Sequence, residues 1–239
     1  MLRIPNLSQR RVEPEWIDQP DLAPCRHGQA LSGLERINWI SGSAGILWPS
    51  LRRLAVKKKG QTLRVLDVAT GGGDIPIRLF HRAKKAGLPM EFTGVDVSPT
   101  AVAFAVEQAR RRGAHVEFYP LNVLLAPLPR DYDVITSSLF LHHLETQSAT
   151  ALLEQMRHAA RDMVLINDLV RSRPGFLLAW LGTRVLSRSP IVHADGPQSV
   201  EAAFTIAEAR QMAAAAGMDG VTVSWRWPFR FLLQWRRTP

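Results

Sequence analysis

Apolar residues recur along this chain in two rhythms, and the switches between them mark out its elements. Between Gln29 and Ile40, the residues Ala30, Leu31, Leu34, Ile37 and Ile40 fall at three- and four-residue steps, which predicts an amphipathic helix. Ser41-Gly42-Ser43 interrupts it. A second helix is expected from Ala44 to Val56, closed by the cations and glycine of Lys57 to Gly60. Short, nearly continuous apolar runs then predict strands at Leu63 to Ala69, Met90 to Val97, Ala114 to Pro120, Tyr132 to Ser137 and Met163 to Asn167. Helical stretches at Ile75 to Ala86, Pro99 to Arg112 and Thr146 to Ala160 separate most of them. Strands that are apolar on both faces and alternate with helices argue for a parallel sheet covered on both sides.

The ends of the chain break this pattern. Leu2 to Pro24 is polar and proline-punctuated and reads as an arm or loop. After the fifth strand, Arg171 to Thr205 holds an apolar helical piece, Phe176 to Leu186, then what reads as a polar loop with Pro190, His193, Asp195, Gly196 and Pro197. A helix from Ile206 to Ala216 stops at Gly217. Two strands near Gly220 to Trp227 and Phe229 to Arg236 are close enough for a hairpin, with an antiparallel strand at the sheet edge. The division expected is an N-terminal arm and helical cap over residues 1–58 and a core over 59–239, with 170–205 inserted as a helical lid. Arg226, Arg230, Arg236 and Arg237 interleave with Trp225, Trp227, Phe229, Phe231 and Trp235. Such a stripe could stack bases, but an edge strand covered on one face produces the same alternation and is its commoner cause.

Composition narrows the class. With 46% hydrophobic and 21% charged residues in 239, the chain is globular, with room for one sizeable α/β domain and an elaboration. Cys25 is the single cysteine, so an intrachain disulfide and a multi-cysteine metal site are both excluded. Met1 to Gln19 has no signal-like apolar core, and Phe176 to Leu186 is short for a membrane span and carries Arg184. A soluble cytoplasmic protein is the expectation. The net charge of +9 is spread over many helices as solvated faces, so nucleic acid is not the expected partner.

The most informative stretch is Arg64-Val65-Leu66-Asp67-Val68-Ala69-Thr70-Gly71-Gly72-Gly73-Asp74, an apolar strand that runs through a glycine cluster into a helix. That order suits a nucleotide-like ligand on an α/β sheet, because glycines let backbone approach it closely. Asp74, before Ile75-Pro76, reads as a helix N-cap. Asp96 ends the second strand, where an acid can accept hydrogen bonds from both ribose hydroxyls, and Val97 beside it could pack on an adenine. Asn122-Val123 follows the third strand and Ser137-Ser138-Leu139 the fourth. All stand at the carboxyl ends of parallel strands, where open α/β sheets bind ligands.

Together these residues resemble the class I S-adenosylmethionine-dependent methyltransferases. The likeness rests on Val65 to Gly73, Asp96, Asn122-Val123, Tyr132-Asp133-Val134-Ile135 and the Ser138-Leu139-Phe140-Leu141-His142-His143-Leu144 that follows, and covers Leu63 to about Asp168. Glu35-Arg36-Ile37-Asn38, Ser41-Gly42 and Leu47-Trp48 are also similar to the ubiquinone and menaquinone C-methyltransferases, with the spacing one residue short. The resemblance implies a Rossmann-like, seven-stranded, mostly parallel sheet with an antiparallel terminal strand. It implies S-adenosyl-L-methionine held by Asp67, Ala69, Thr70, Gly71, Gly73, Asp96, Val97, Asn122, Val123, Ser138 and Leu139. Two residues depart from the family's habit: Ala69 replaces a commoner glycine, and Asn122 an aspartate. A nicotinamide-type Rossmann protein is the rival, but no third glycine follows in register and Asp67 within the strand is foreign to it.

Methyl transfer to oxygen or carbon requires the acceptor to lose a proton, and a phenol of pKa ~10 needs help near neutral pH. His142 and His143 follow the fourth strand and Asp168 ends the fifth, so adjacency of those strands would bring imidazole and carboxylate together. His142 is the expected base, His143 the second choice and Asp168 the support; otherwise the histidines simply pack and cap the turn. His193 is a weaker candidate, and Arg171 and Arg173 could bind an acidic acceptor or cap a loop. No metal is expected. The apolar insert and the first two helices, with Trp39, Trp48, Phe176 and Trp180, would wall off a pocket for a phenolic, quinone-like or polyketide acceptor, oxygen being favoured over carbon. Base methylation is disfavoured because Ser138-Leu139-Phe140-Leu141 stands where amino-methylating enzymes of this fold carry a Pro-Pro-aromatic turn. Phe176 to Leu186 is amphipathic enough for a dimer surface or peripheral membrane contact, and monomer and homodimer both stay open. A cofactor-binding regulatory or assembly protein without catalysis is the alternative, with an RNA methyltransferase behind it.

Overall fold

The computed structural model describes residues 5–18 and 23–237; the remainder of the expected arm, and the side chain of Cys25, lie outside the described residues. The elements are α1 (Pro24–Ile40), α2 (Ser43–Lys57), β1 (Leu63–Val68), α3 (Asp74–Lys85), β2 (Met90–Asp96), α4 (Pro99–Arg111), β3 (Val116–Pro120) and β4 (Val134–Ser138). After them come α5 (Thr146–Ala159), β5 (Met163–Leu169), α6 (Arg173–Leu186), α7 (Pro190–Ala202), α8 (Ile206–Ala215), β6 (Thr222–Arg226) and β7 (Arg230–Arg236). The seven strands form one sheet in the order β3-β2-β1-β4-β5-β7-β6. β1 to β5 pair in parallel, and β7 runs antiparallel to both β5 and β6.

Alternation along the strands assigns each residue to a face. Val65, Val134, Leu165 and Leu232 pack under Leu47 and Leu51 of α2 and Leu79 of α3. Leu66, Ile135, Ile166 and Leu233 face Leu152, Leu153 and Met156 of α5 and Ala209 and Met212 of α8 on the other side. α2 is thus a sheet-covering helix. The chain reverses its progress across the sheet between β1 and β4, and the loops on either side of that reversal open a crevice.

Three expectations are corrected. Residues 190–202 are helical rather than a polar loop. Pro190 occupies the first turn, where its missing N–H costs nothing, and tertiary bonds outweigh the break at Pro197. Asp195 accepts from the backbone N–H groups of Trp16 and Ile17 at 3.0 and 3.1 Å, and Ser199 Oγ donates to the Asp195 carbonyl at 2.8 Å. β7 lies inside the sheet and β6 forms its edge, so Arg230 and Phe231 are buried whereas Trp225 and Trp227 are exposed. Asp74 does not cap α3: Gly73 holds the N-cap position in left-handed conformation, and Asp74 is the first helical residue.

At Gly73 the φ of +73° coincides with crowding, since a Cβ there would stand 2.7 Å from the Phe118 ring and 2.9 Å from Ala105 Cβ. Gly71, at φ +53°, would carry a Cβ into open space. Urea unfolding should therefore separate the two: Gly71→Ala costs about 1 kcal/mol of backbone strain, and Gly73→Ala about twice that or more because overpacking adds to it.

Candidate functional site

One pleat step beyond the apolar layer under α2, each strand switches to a polar residue: Asp67 on β1, Thr136 on β4, Asn167 on β5 and Arg230 on β7, all buried. Asp67 is fixed from two sides. Thr70 Oγ1 donates to its Oδ2 at 2.8 Å and Thr136 Oγ1 to its Oδ1 at 2.7 Å. Burial still pushes its pKa up to about 6, against those two bonds. Beside it, burial pushes Asp74 up to about 7; its Oδ1 takes only a long bond from Asn38 Nδ2 at 3.5 Å.

The glycine turn is tied to β2. Gly71 N–H donates to Asp96 Oδ2 at 2.8 Å and Ser98 N–H to Asp96 Oδ1 at 2.9 Å. Asp96 therefore ties the glycine turn to the end of β2 through both of its oxygens. Ala69 and Leu139 adopt φ of +54° and +58° without being glycines, one at the end of β1 and the other just after β4. These left-handed residues turn the chain away at the mouth of the crevice.

Beyond β4 the expected juxtaposition is present. His142 Nδ1 lies 2.7 Å from Asp168 Oδ1, and the His142 backbone N–H donates to Asp168 Oδ2 at 3.2 Å. A third group completes the cluster from 127 positions away in sequence. The N-terminal arm lays Glu15 against both histidines, with Oε1 at 3.6 Å from His142 Nε2 and Oε2 at 3.9 Å from His143 Nε2. Ser199 Oγ also donates to Glu15. Burial opposes a charge on His142, but Asp168 and Glu15 outweigh it and push the imidazole up to about 10, while both carboxyls are lowered against their own desolvation. His142 is an imidazolium clasped by two carboxylates. Its ring stacks on that of His143 with centroids 4.4 Å apart.

The arm is pinned independently of Glu15. Arg10 donates to the carbonyls of Ala202 at 2.7 Å, Leu144 at 2.9 Å and His142 at 3.2 Å, and its guanidinium lies 3.6 Å from the Phe204 ring centroid. Arg171 reaches the Leu7 carbonyl at 3.1 Å and pairs with Glu208 at 2.7 Å, which makes it a fastener of arm and α8. Arg173 is exposed at the start of α6, and His193 Nε2 donates to the Ser187 carbonyl at 2.7 Å.

One cavity of about 350 Å³ joins these parts. Asp67, Ala69, Thr70, Gly71, Asp74 and Ser138 line one side of it; Glu15, His142 and His143 line another. Leu31, Leu34 and Ile37 of α1 and Leu178 and Leu186 of α6 supply apolar walls. Of the residues expected to hold a cofactor, Leu139 also lines it, Gly73 and Asp96 stand just behind, and Val97, Asn122 and Val123 lie outside. Val97 is exposed, Asn122 Oδ1 accepts from Leu124 N–H in a tight turn, and Val123 is packed in the core. Asp168 does not line the cavity but bonds to two residues that do, His142 and, through its backbone N–H at 2.7 Å, Leu169. Phe104, Glu15 and Arg230 line the cavity and carry no local motif that singles them out.

Several polar atoms in and beneath the cavity floor are left unpaired. Ser138 Oγ, Asp74 Oδ2, Arg230 Nε and both polar side-chain atoms of Asn167 are buried without a hydrogen-bond partner. Such atoms are costly unless something satisfies them. The ligating atoms of Glu15, His142 and His143 lie within 4.8 Å of one another, a spacing that a divalent cation could use only in exchange for the His142 proton.

Residues 65–162 match a family model described as a methyltransferase domain. Over 74 residues the chain is 38% identical to the demethylmenaquinone methyltransferase of Thermus thermophilus, a stretch that covers 30% of this chain and about a third of the relative (32%). Among solved structures, the S-adenosylmethionine-dependent methyltransferase SibL superposes with a TM-score of 0.63 at 16% identity, covering 84% of this chain and 56% of that one. The magnesium protoporphyrin IX methyltransferase of Synechocystis, with S-adenosylhomocysteine bound, gives a TM-score of 0.57 at 18% identity, covering 82% and 84%. At these identities the structures speak for the fold alone. Sheet order, the strand–glycine–helix turn and the methyltransferase domain matched over residues 65–162 together make the chain similar to the class I S-adenosylmethionine-dependent methyltransferases.

Proposed function

We propose that this protein transfers a methyl group from S-adenosylmethionine to a small, largely apolar acceptor, with oxygen as the preferred methyl-accepting atom. The observation that carries this reading is the single cavity that runs from the glycine turn to the Glu15–His142–His143 cluster between apolar walls. Asp67, Thr70, Gly71, Asp74 and Ser138 would hold the cofactor's methionyl side, and Asp96 its ribose. When bound, the cofactor supplies an electrophilic methyl on a sulfonium. What the chain adds is alignment, a dry pocket and control of the acceptor's proton.

The clasp around His142 redistributes the roles expected from sequence. An imidazole with a pKa near 10 is already protonated at neutral pH, so it donates rather than accepts. His142 then holds an acceptor hydroxyl through Nε2 and stabilises the oxyanion that forms, with Asp168 keeping the ring oriented. His143, stacked beside it and also on the cavity wall, receives the acceptor's proton. Apolar side chains continue to the surface: Ile40 and Trp227 both line the cavity and are exposed, a suitable approach for a phenolic, quinone-like or polyketide acceptor. The relatives' names point the same way, with a quinone precursor and a porphyrin among the compounds they mention.

Three measurements test the reading. Detection of S-adenosylhomocysteine on incubation with phenolic acceptors separates an enzyme from a cofactor-binding module, and His142→Ala should lower that turnover at saturating cofactor by about 10²-fold or more. His143→Ala should do the same for a phenol of ordinary pKa but much less for a nitrophenol, which is largely ionised in water; equal losses for both would reject it as the base.

The second concerns pH. A ligand bearing a sulfonium and an ammonium favours ionised Asp67 and Asp74, so binding releases protons and affinity rises with pH. S-adenosylmethionine affinity should climb between about pH 5 and 7, level off above that, and lose the upper part of the rise in Asp74→Asn. The third is Glu15→Gln, which removes one of the two anions on His142. Its imidazole proton, followed by NMR, should then titrate well below the wild-type value.

A further inference from the structure

Arg230 opens β7, level with Leu169 of β5, on the face that α2 covers. It is 2% exposed, the largest of the fully buried side chains. Its bonds go only to neutral partners, Nη1 to Ser43 Oγ and Nη2 to Ser41 Oγ, the latter at 2.7 Å. Nε has none. Asp74 and Asp168 act on it only through space, neither hydrogen-bonded to it. A guanidinium is not relieved by losing its proton, and although burial pulls this one down to about 10 it stays charged at neutral pH. A buried cation held by two hydroxyls is expensive unless an anion joins it.

Two further features make this a built site. Arg230 and Ser41 both line the cavity. Ser43 is the first residue of α2, a 15-residue helix whose N-cap is Gly42 and which has no side-chain cap. Its leading N–H groups and the positive end of its dipole thus lie beside the guanidinium, unsatisfied by any side chain. A helix N-terminus and a fork-shaped cation together suit a planar, two-oxygen anion.

We propose that Arg230, Ser41 and Ser43, at the head of α2, form a seat for a carboxylate inside the methyl-transfer cavity. The carboxylate can come from the methionyl end of the cofactor or from the acceptor, and the seat is the same chemistry in either case. The inference rests on the methyltransferase reading and deepens it: it makes one of the two ligands a carboxylate anchored from β7, a strand beyond the matched domain.

Calorimetric titration of the full chain distinguishes the sources. In the first arm, wild type, Arg230→Met, Arg230→Lys and Ser43→Ala are titrated with S-adenosylhomocysteine and with 5′-methylthioadenosine, which lacks the amino-acid end. A loss of about tenfold or more for the first ligand in Arg230→Met, with the second unchanged, assigns the seat to the cofactor. Arg230→Lys and Ser43→Ala should fall between, and thermal melts of the ligand-free variants report whether each folds. In the second arm the protein saturated with S-adenosylhomocysteine is titrated with 4-hydroxybenzoate and with phenol. A selective loss of hydroxybenzoate binding in Arg230→Met assigns the seat to the acceptor. If folded variants bind all four ligands as wild type does, the seat is overturned while the methyltransferase reading stands. If wild type binds no S-adenosylhomocysteine, that reading itself fails and takes the seat with it.

Discussion

The buried carboxylate of Asp67 is the constraint on which the architecture of the site depends. It sits where the sheet changes from apolar to polar and where the chain reverses direction across it. Bonds from Thr70 and Thr136 tie the strand, its glycine turn and the neighbouring β4 to one atom pair. A charge at that depth is tolerated only because both oxygens are bonded. The rest follows from that anchorage: Gly71 is presented to Asp96, Ser138 to the cavity, and the chain after β4 carries His142 to Asp168.

The second organising principle is charge balance. The cluster near His142 offsets one cation with two carboxylates, whereas Arg230 is a cation with none bonded to it. These are opposite arrangements at two sides of one cavity. The first keeps a buried imidazolium balanced between two carboxylates. The second leaves a buried guanidinium with two hydroxyls as its hydrogen-bond partners and Nε without one.

Much of this was legible in the sequence, and the reasons are physical. Two-sided burial of parallel strands leaves continuous apolar runs, so β1, β2, β4 and β5 stand out, and the Asp67-to-Gly73 turn is a local feature of backbone chemistry. Asp168 and His142 could be paired because sheet neighbours bring their strand ends together. α7 was hidden because Pro190, Gly196 and Pro197 are locally anti-helical and its stabilising bonds come from residues 15–17. Glu15 was hidden for the complementary reason: nothing in a proline-punctuated arm says which distant surface it will reach. Arg230 was visible only as one arginine of an alternating stripe, because its burial depends on β7 slotting between β5 and β6. Asp74 was misread as a cap since the αL glycine before it supplies the turn instead.

The arm that carries Glu15 is the first part of the described chain, yet the groups that hold it against the cavity stand more than a hundred residues further on. Its carboxylate needs His142, His143 and Ser199, and Arg10 needs the carbonyl of Ala202. During synthesis the ribosome releases these residues more than a hundred codons after the arm has emerged. The glycine turn can take shape first, but the cluster around Glu15 has no lasting form until residues as far along as Ser199 have followed. A chain emerging in this order can thus own the Asp67 turn while His142 still lacks one of its two carboxylates.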